Sequence, residues 1–390
     1  MLRSLYSGIS GLRSHQTMLD VTGNNIANVN TAAFKASAVQ FQDTLSQLTQ
    51  GAGGPQAEAG GTNPAQIGLG VQVAGISTNF AQGSTQATGR SEDMMIAGDG
   101  FFVTRQGGET LYTRAGSFNF DAQGRLTSPD GGLVQGYAAV NGVIPAGGAT
   151  GNVTLPLEAV SPAVATSSAT LNGNLPSDAA IGTEIVIDER VFDASGVARS
   201  LSLTFTRTAG GWDVDGADAN GSTGTGALGF TDGALTAGGS VAVGGITVDL
   251  TSLTGYAALS TATVTKQDGR NAGTLNSFSI AKDGTVVGSF SNGASEAIAR
   301  IAVATFANAG GLEKAGSSGY RSTFNSGAAT LGAPGQGGAG SLIGGALEMS
   351  NVDLSQEFTN LIVAQRGFQA NARIITTSDE VLQELTNLKR

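Results

Sequence analysis

The fold of this chain is decided by its ends, most clearly by residues 350–390, which read SNVDLSQEFTNLIVAQRGFQANARIITTSDEVLQELTNLKR. Apolar residues recur there at alternating intervals of three and four, the heptad spacing of a helix that packs against another helix. The range has no proline and a single glycine, Gly367. Ser350 to Asp353 fits a capping box with a carboxylate in the first turn. We therefore predict a C-terminal helix of about 36 residues, roughly 54 Å long.

The predicted C-terminal seam is a row of apolar side chains: Leu354, Phe358, Leu361, Phe368, Ile375, Leu382 and Leu385. Gln365 and Ala372 fill intermediate positions, and Asp379 interrupts the row. A second row then takes over, formed by Ile374, Val381, Leu385 and Leu388. Such drift is expected when a 3.6-residue helix follows a 3.5-residue pattern. The apolar face is therefore broader than one partner helix can cover.

The N-terminal residues repeat this spacing in a shorter predicted helix, whose seam consists of Leu2, Leu5, Ile9, Leu12, Leu19 and Ile26. Gly8 and Gly11 each cost about 1 kcal/mol relative to alanine in a helix interior. The helix should therefore form firmly only when its seam is covered. The two seams could pair inside one molecule, or other copies of the chain could cover them. We favour other copies because the C-terminal face is so broad.

The middle of the chain has the composition of β structure. All eight prolines lie between Pro55 and Pro334, and the 390 residues include 60 glycines, roughly twice the usual share. Alternating residues 241–243 and 246–250 flank a glycine pair at 244–245, the signal of a two-residue hairpin turn. The predicted fold class is mainly β with α-helical termini, in which discontinuous β domains are inserted between N- and C-terminal coiled-coil helices.

We predict four parts of the chain: a terminal helical coiled-coil domain (1–30 with 352–390), connecting segments (31–70 with 320–351), an inner β domain (71–147 with 267–319) and an outer β domain (148–266).

Composition argues against nucleic-acid binding and several kinds of chemistry. The formal net charge is −10 and no basic run occurs, so phosphate groups would be poorly neutralised. The chain has no cysteine, which excludes disulfides, thiolate metal sites and cysteine nucleophiles. No stretch reaches the ~18 consecutive apolar residues of a membrane helix. Arg13 interrupts the first segment where a cleaved signal peptide needs an apolar core.

The residues that could carry chemistry are isolated in the sequence. His15 is the single histidine, and a catalytic or metal role needs partners, so we interpret it as a solvated or interfacial helix residue. Residues 224–229 match Gly-x-Gly-x-x-Gly, but hairpin material follows where a dinucleotide site requires a helix. Asp213, Asp215 and Asp218 do not have the spacing of a calcium loop. We predict no enzyme activity, no cofactor and no metal site.

Residues 22–35, TGNNIANVNTAAFK, resemble the N-terminal signature of the flagellar rod and hook protein family. In that family Gly-Asn-Asn-Ile-Ala-Asn precedes Gly-Phe/Tyr-Lys, and Ala33 stands here at the position of the second glycine. Residues 345–354 and 363–371 are similar to the C-terminal signature. The matching positions are Asn24, Asn25, Asn28, Phe34, Lys35, Asn351, Val352, Asp353, Gln365, Arg366 and Asn371.

Residues 98–102 and 112–118 resemble the β domain that hook and distal rod members share. Additional β material in the middle of the chain favours the hook members, whereas a long connector at 42–66 is associated with the rod. The resemblance implies a structural subunit that polymerises into a flexible hollow tube, the universal joint between the basal-body rod and the filament. The alternative within the family is a distal rod protein of the basal body.

The resemblance also implies the partners and the location. The partners would be other copies of the chain and the distal rod, hook cap, length-control and hook–filament junction proteins, without nucleic acid or membrane insertion. The location would be the extracellular flagellum, reached through the flagellar type III apparatus without a cleaved signal peptide. An alternative from another class is a secreted β-rich adhesin or glycan-binding protein. Trp212 would then be a sugar platform, although we favour its burial in the outer domain core.

Overall fold

One α-helix lies near each end of the chain, and the residues between them form short strands, in the computed structural model. The structure describes residues 2–55, 60–140, 142–145, 148–156 and 160–387, with the backbone alone at Leu2. Helix α1 spans Leu2–Ala27 and helix α2 spans Leu354–Asn387. The predicted fold class, mainly β with helical termini, is confirmed.

Helix α2 begins directly after Asp353, whose side chain caps it. The backbone N–H groups of Ser355 and Gln356 donate to Asp353 Oδ1 over 2.9 and 3.2 Å. Ser350, the predicted cap, instead accepts a hydrogen bond from the backbone of Val352. The capping-box prediction is therefore wrong about the residue. A carboxylate at this position bonds the free N–H groups and also suits the positive end of the helix dipole.

The described residues form two compact units. Unit 1 takes Met1–Leu155, Ser279–Val287 and Ala297–Arg390, and unit 2 takes Pro156–Phe278 and Gly288–Glu296. Both helices belong to unit 1. Residues 31–70 and 320–351, predicted as connecting segments, include several strands of unit 1. The predicted division into four parts stays a prediction.

The strands of unit 1 are β1 (Ser37–Asp43), β2 (Ser46–Gln50), β3 (Ala65–Gly68), β4 (Val71–Thr78), β5 (Thr85–Ala87), β6 (Met94–Ala97), β7 (Phe101–Gln106), β8 (Glu109–Thr113), β9 (Asn119–Phe120), β10 (Leu126–Thr127), β11 (Leu133–Ala138), β12 (Gly151–Asn152), β26 (Val303–Thr305), β27 (Glu313–Gly316), β28 (Gly319–Arg321), β29 (Thr330–Gly332), β30 (Ser341–Gly344) and β31 (Ala346–Glu348). A 3₁₀ turn covers Ala309–Gly311.

The strands of unit 2 are β13 (Val160–Ser161), β14 (Ser168–Asn174), β15 (Glu184–Phe192), β16 (Ala198–Thr208), β17 (Gly211–Asp218), β18 (Thr223–Thr231), β19 (Ala234–Ala237), β20 (Ser240–Val243), β21 (Ile246–Thr254) and β22 (Thr263–Gln267). Strands with residues in both units are β23 (Gly273–Ile280), β24 (Thr285–Phe290) and β25 (Ser295–Ile301).

The central sheet of unit 1 has the order β11-β7-β8-β28-β27. Strands β7 and β8 pair antiparallel, with Phe102 opposite Thr113 and Thr104 opposite Leu111, so these four side chains point to one face. The other face carries a buried apolar cluster of Phe101, Val103, Tyr112, Ala304 and Tyr320. The sheet therefore has two chemically distinct faces.

A long antiparallel ribbon follows α1 in the chain and packs against it, with Phe41 beside His15 and the Val71 N–H donating to Ser10 Oγ. Strand β1 pairs with β4 and β2 pairs with β3. Side chains along the ribbon are largely exposed, including Leu45 and Leu48. Two further pairs, β30 with β6 and β31 with β5, tie the segment before α2 to the body of unit 1.

Unit 2 is a sheet of order β15-β16-β17-β18-β19-β21-β14-β22, in which β14 and β21 run parallel. The predicted hairpin is confirmed: Val243 pairs with Ile246 across Gly244 and Gly245. These glycines have φ values of 57° and 89°, as a type I′ turn requires. The buried core includes Trp212, which is 1% exposed.

Candidate assembly surface and its anchoring

The two terminal helices pack against each other within unit 1, and glycines form the contact. A Cβ atom at Gly11 would lie 2.7 Å from Asn371 Oδ1. One at Gly367 would lie 2.5 Å from the ring of His15. Residue 8 of α1 also meets residue 374 of α2, so the helices run antiparallel. The arrangement left open by the sequence, in which the ends pair inside one molecule, is therefore present.

The face of α1 that is most deeply buried differs from the predicted seam. Its buried residues are Gly8, Gly11, Ser14, Thr22 and Asn25. The predicted seam residues flank them and are half-buried: Leu5, Ile9, Leu12, Leu19 and Ile26. The side chain of Leu2 lies outside the described residues. Gly8, Gly11 and Ser14 are small residues at a spacing of three, and they allow a close helix contact that the spacing of large apolar residues does not reveal.

Helix α2 buries a stripe at alternating intervals of three and four. Glu357 and Ala364 are buried. On the same side, four predicted seam residues are half-buried: Leu361, Phe368, Ile375 and Leu382. Asn371 also lies on this stripe, against Gly11. Four of the seven residues of the predicted polymerisation seam on α2 thus face inward within the molecule, and the role of the seam in assembly stays a prediction.

The remaining apolar residues of α2 stay exposed. Each of them exposes 40 to 56% of its surface to solvent, and they are Leu354, Phe358, Ile362, Val363, Ile374, Val381 and Leu385. We call them the α2 apolar surface. Leu354, Phe358 and Ile362 follow at intervals of four and form one line along the helix. Helix α1 therefore leaves apolar surface uncovered on α2, including the predicted seam residues Leu354, Phe358 and Leu385.

Five polar residues anchor the helices to the strands, and we call them the buried polar joint: Asn25, Lys35, Arg114, Glu348 and Asn351. Lys35 Nζ lies 2.6 Å from Glu348 Oε1, and both side chains are fully buried. Arg114 Nη1 lies 3.5 Å from Glu348 Oε2. Burial lowers the pKa of Lys35, the hydrogen bond that Lys35 donates to Glu348 and the Glu348 charge oppose this, and the Arg114 charge adds to the lowering. One carboxylate therefore serves two buried cations.

Asn25 connects both helices. Its Nδ2 donates to the Ser37 carbonyl over 2.8 Å and to Glu357 Oε1 over 3.1 Å. The Ser37 backbone N–H donates back to Asn25 Oδ1 over 3.0 Å. These bonds satisfy a buried side chain and tie the end of α1 to the start of α2.

Asn351 makes the matching connection ahead of α2. Its Oδ1 accepts the Ala36 backbone N–H over 2.8 Å, and its Nδ2 donates to the carbonyls of Asn79 and Ala81 over 2.8 and 3.0 Å. Lys35 Nζ donates to the same Ala81 oxygen over 2.8 Å. Lys35, which follows α1, and Asn351, which precedes α2, therefore donate to the same carbonyl oxygen.

The other signature residues have local roles. Asn28 Nδ2 donates to Asn24 Oδ1 over 2.7 Å, and the Lys314 ammonium lies 5.3 Å from the centre of the Phe34 ring. Val352 is half-buried and Asp353 caps α2. The two signature residues exposed on α2 are Gln365 and Arg366.

Sequence reasoning did not select Glu348 and Arg114 as site residues. A usable signal existed, because Glu348 is a single charge within the otherwise uncharged run 341–352. Ala33 is also informative. It is buried with φ 58° and donates its N–H to the Glu348 carbonyl, and this backbone region favours glycine, the residue of the family pattern.

The isolated chemical candidates have structural roles. His15 is interfacial, with its ring centre 5.9 Å from that of Phe41. Residues 224–229 lie inside strand β18, and β19 follows. Asp218 is buried and bonds Arg199 over 2.6 Å. Trp212 is buried beneath the Arg207 guanidinium, so its ring is not a surface platform for a sugar.

Neither described helix combines the length and the apolarity that crossing a membrane requires.

Comparison with known proteins identifies three matching regions. Residues 5–35 match the family described as "Flagella basal body rod protein", residues 95–169 match "Flagellar hook protein FlgE/F/G D1 domain", and residues 343–388 match "Flagellar basal body rod FlgEFG protein C-terminal". These regions contain both signatures, Arg114 and three strands of the central sheet, β7, β8 and β11.

Similarity to individual relatives extends over the whole chain. The flagellar hook proteins FlgE of Borreliella burgdorferi and Treponema pallidum are each 38% identical, over 442 and 463 aligned residues, covering 100% of this chain and of the relative. The flagellar basal-body rod protein FlgG of Bacillus subtilis is 36% identical over 394 aligned residues, also with 100% of both chains covered.

Proposed function

This chain belongs to the family of flagellar hook and basal-body rod proteins, and we propose that it is the structural subunit of a flagellar hook. In this role many copies polymerise into a flexible hollow tube that joins the rod of the basal body to the filament. Similarity to hook proteins over the full length supports this assignment. A distal rod protein is the less favoured alternative, supported by the FlgG relative.

The observation that carries the proposal is the α2 apolar surface. Phe358 is 50% exposed and Ile362 is 56% exposed. Burial of such a side chain from full exposure contributes about 1.5–3 kcal/mol, and roughly half of that remains to be gained at each residue. Helix α1 already occupies one side of α2, so it cannot cover these residues as well. A helix from another copy can, through knobs-into-holes packing. The terminal helices would then form a layer of the tube.

The buried polar joint suits a subunit that transmits torque. It fastens both chain ends to the strands of unit 1 through a buried ion pair, a buried hydrogen bond from Asn25 to Glu357 and the partly buried hydrogen bond to Asn351. Force applied to the helices therefore passes into the β body without a flexible linker between them. This property fits a mechanical role and requires no catalytic group, and we propose that the chain is not an enzyme.

The proposed partners follow from the family. We assign other copies of the chain as the main partner, and the distal rod, hook cap, length-control and hook–filament junction proteins as the others. The proposed location is the flagellum outside the cell, after export through the flagellar type III apparatus. The adhesin alternative has less support because Trp212 is buried.

Electron microscopy of the purified chain after salt-induced polymerisation tests the proposal. A hook subunit forms curved tubes with a central channel, whereas a distal rod subunit forms straight ones. Sedimentation at increasing protein concentration provides the second measurement. A chain that stays monomeric at every salt and protein concentration would rule out both family assignments.

A further inference from the structure

Phe324 is the most exposed large apolar side chain in the described part of unit 1, at 109% of the reference surface. It lies between β28 and β29, far in sequence from both helices. Its neighbours in the chain are polar, and Ser326 directly after the turn is fully buried. A full-sized aromatic ring thus stands alone in solvent on a turn that is itself anchored.

Hydrogen bonds hold this turn in place. Thr323 Oγ1 donates to the Gly311 carbonyl over 2.6 Å, and Ser326 Oγ donates to the Thr323 carbonyl over 2.8 Å. Asn308 Nδ2 donates to the Asn325 carbonyl over 3.0 Å. Because the backbone on both sides of Phe324 is held, the turn would lose little backbone freedom on docking.

The turn is fastened to the loop that covers one face of the central sheet. In that loop the Phe306 ring lies 4.8 Å from the ring of Tyr112, and Leu312 packs on the same apolar cluster. The turn that carries Phe324 is therefore attached on the side of unit 1 that carries the Phe101, Val103 and Tyr112 cluster.

A groove opens on the opposite face of the same sheet. Its walls include Leu111, Pro129 and Ala32, with Thr104 and Thr113 at its base. Thr104 and Leu111 are cross-strand partners, so they point away from Val103 and Tyr112. Apolar atoms dominate its lining, and Asp130 is the single charged residue among those that line it.

We propose that Phe324 of one copy inserts into this groove on a neighbouring copy, which makes it a contact of the polymer outside the terminal helices. This inference rests on the proposed function. The turn with Phe324 and the groove lie on opposite faces of the sheet in unit 1, so Phe324 cannot fill the groove of its own molecule. Between copies they form a head-to-tail contact, and such a contact continues along a helical assembly instead of closing as a dimer.

Cysteine cross-linking tests the contact cleanly because the chain has no native cysteine. The variant carries Phe324→Cys and Pro129→Cys, and Pro129 is exposed at the rim of the groove. Salt-polymerised protein is treated with a short bismaleimide and analysed by denaturing electrophoresis. The control pairs Phe324→Cys with Ala122→Cys, an exposed residue outside the groove lining.

The expected result is a ladder of dimers, trimers and longer species from the Phe324→Cys/Pro129→Cys polymer, with little cross-linking in the control. Cross-linked dimers of the single variant Phe324→Cys would show that residue 324 of one copy lies beside residue 324 of another, and this result would overturn the inference. An absent ladder in polymerised variant protein would do the same.

A second variant covers the outcome in which the cysteine pair does not polymerise. Phe324→Ser changes a side chain without contacts in the monomer, so monomer thermal unfolding should be unchanged. The critical concentration for polymerisation should rise at least about tenfold. If Phe324→Ser polymerises at the same critical concentration as the unmodified chain, the inference is overturned. The proposed function is tested separately, by whether the unmodified chain forms tubes.

Discussion

Lys35 Nζ donates a hydrogen bond to Glu348 Oε1 over 2.6 Å across 313 residues of sequence, and both side chains are fully buried. Lys35 follows α1, and Glu348 is the last residue of the strand before α2. Arg114, from the end of the central sheet, places a second cation 3.5 Å from the other oxygen of Glu348. A single carboxylate therefore holds the two chain ends and the sheet together.

Glu348→Gln should destabilise the monomer strongly. The amide leaves Lys35 buried without a compensating charge and leaves Arg114 with Asp99 alone, 4.0 Å away. Breaking a buried pair in this way costs about 3–5 kcal/mol. Urea unfolding followed by circular dichroism measures the loss. Adding Lys35→Met to Glu348→Gln should recover part of it, because one uncompensated charge is removed.

The matched control for this change is Glu92→Gln. Glu92 lies 3.9 Å from Arg90, and both side chains are partly exposed, so the pair contributes about 0–1 kcal/mol. Equal losses of stability in Glu348→Gln and Glu92→Gln would contradict the claim that Glu348 stabilises the monomer through its buried contacts with Lys35 and Arg114.

The sequence was sufficient for the helices, the β body and the hairpin at 244–245, because each depends on local spacing or turn chemistry. Glycine pairs such as Gly244 and Gly245 leave few alternatives to a tight turn. The inner stripe of α2 could also be predicted, since Leu361, Phe368 and Ile375 repeat at the period of one helix side, although the sequence did not separate them from the exposed Leu354, Phe358 and Leu385.

The polar joint and the helix contact were not readable in the same way. Glu348 meets Lys35 only after the intervening strands have paired, and no periodicity relates the two. On α1 the large side chains mark the flanks of the contact, while Gly8 and Gly11 form its centre. Hydrophobic patterns identify what is apolar and do not show where two backbones approach most closely.

Gly11→Ala and Gly23→Ala should differ although both sit in α1. Alanine gains about 1 kcal/mol over glycine in a helix interior. A Cβ at Gly23 meets nothing within 4 Å, whereas one at Gly11 falls 2.7 Å from Asn371 Oδ1. Gly23→Ala should therefore raise the free energy of unfolding by up to about 1 kcal/mol, and Gly11→Ala should lose that gain. Equal stabilisation by the two variants in urea unfolding would refute the close contact.

The pKa of Asp268 links the stability of unit 2 to acid pH. Partial burial raises this pKa, but hydrogen bonds from Ser167 Oγ and from the N–H groups of Ser167 and Ser168 outweigh it and lower the pKa from 3.8 to about 2. A lowered carboxyl pKa contributes stability that is present above the unfolded value and lost as pH falls through the folded one. We expect the unfolding temperature to drop between about pH 4 and pH 2.

Asp268→Asn should make this acid drop shallower, because the amide cannot titrate. Thermal unfolding at several pH values, followed by circular dichroism, measures the slope. The control is Asp188→Asn, an exposed carboxyl on β15, which should keep the slope of the unmodified chain. An identical slope in Asp268→Asn and Asp188→Asn would exclude Asp268 as the titrating group.

Phe358→Asp should stop polymerisation without harming the monomer. Phe358 is 50% exposed in the isolated chain, so a charge there is tolerated until another helix covers it, when an unpaired buried carboxylate becomes costly. Sedimentation should show monomer at concentrations where the unmodified chain forms tubes, with unchanged thermal unfolding.

Thr359→Asp, one position away and exposed, should still polymerise. Leu361→Asp should lower monomer stability as well, since Leu361 is half-buried on the inner stripe. Normal tubes from Phe358→Asp would mean that other copies do not use the α2 apolar surface.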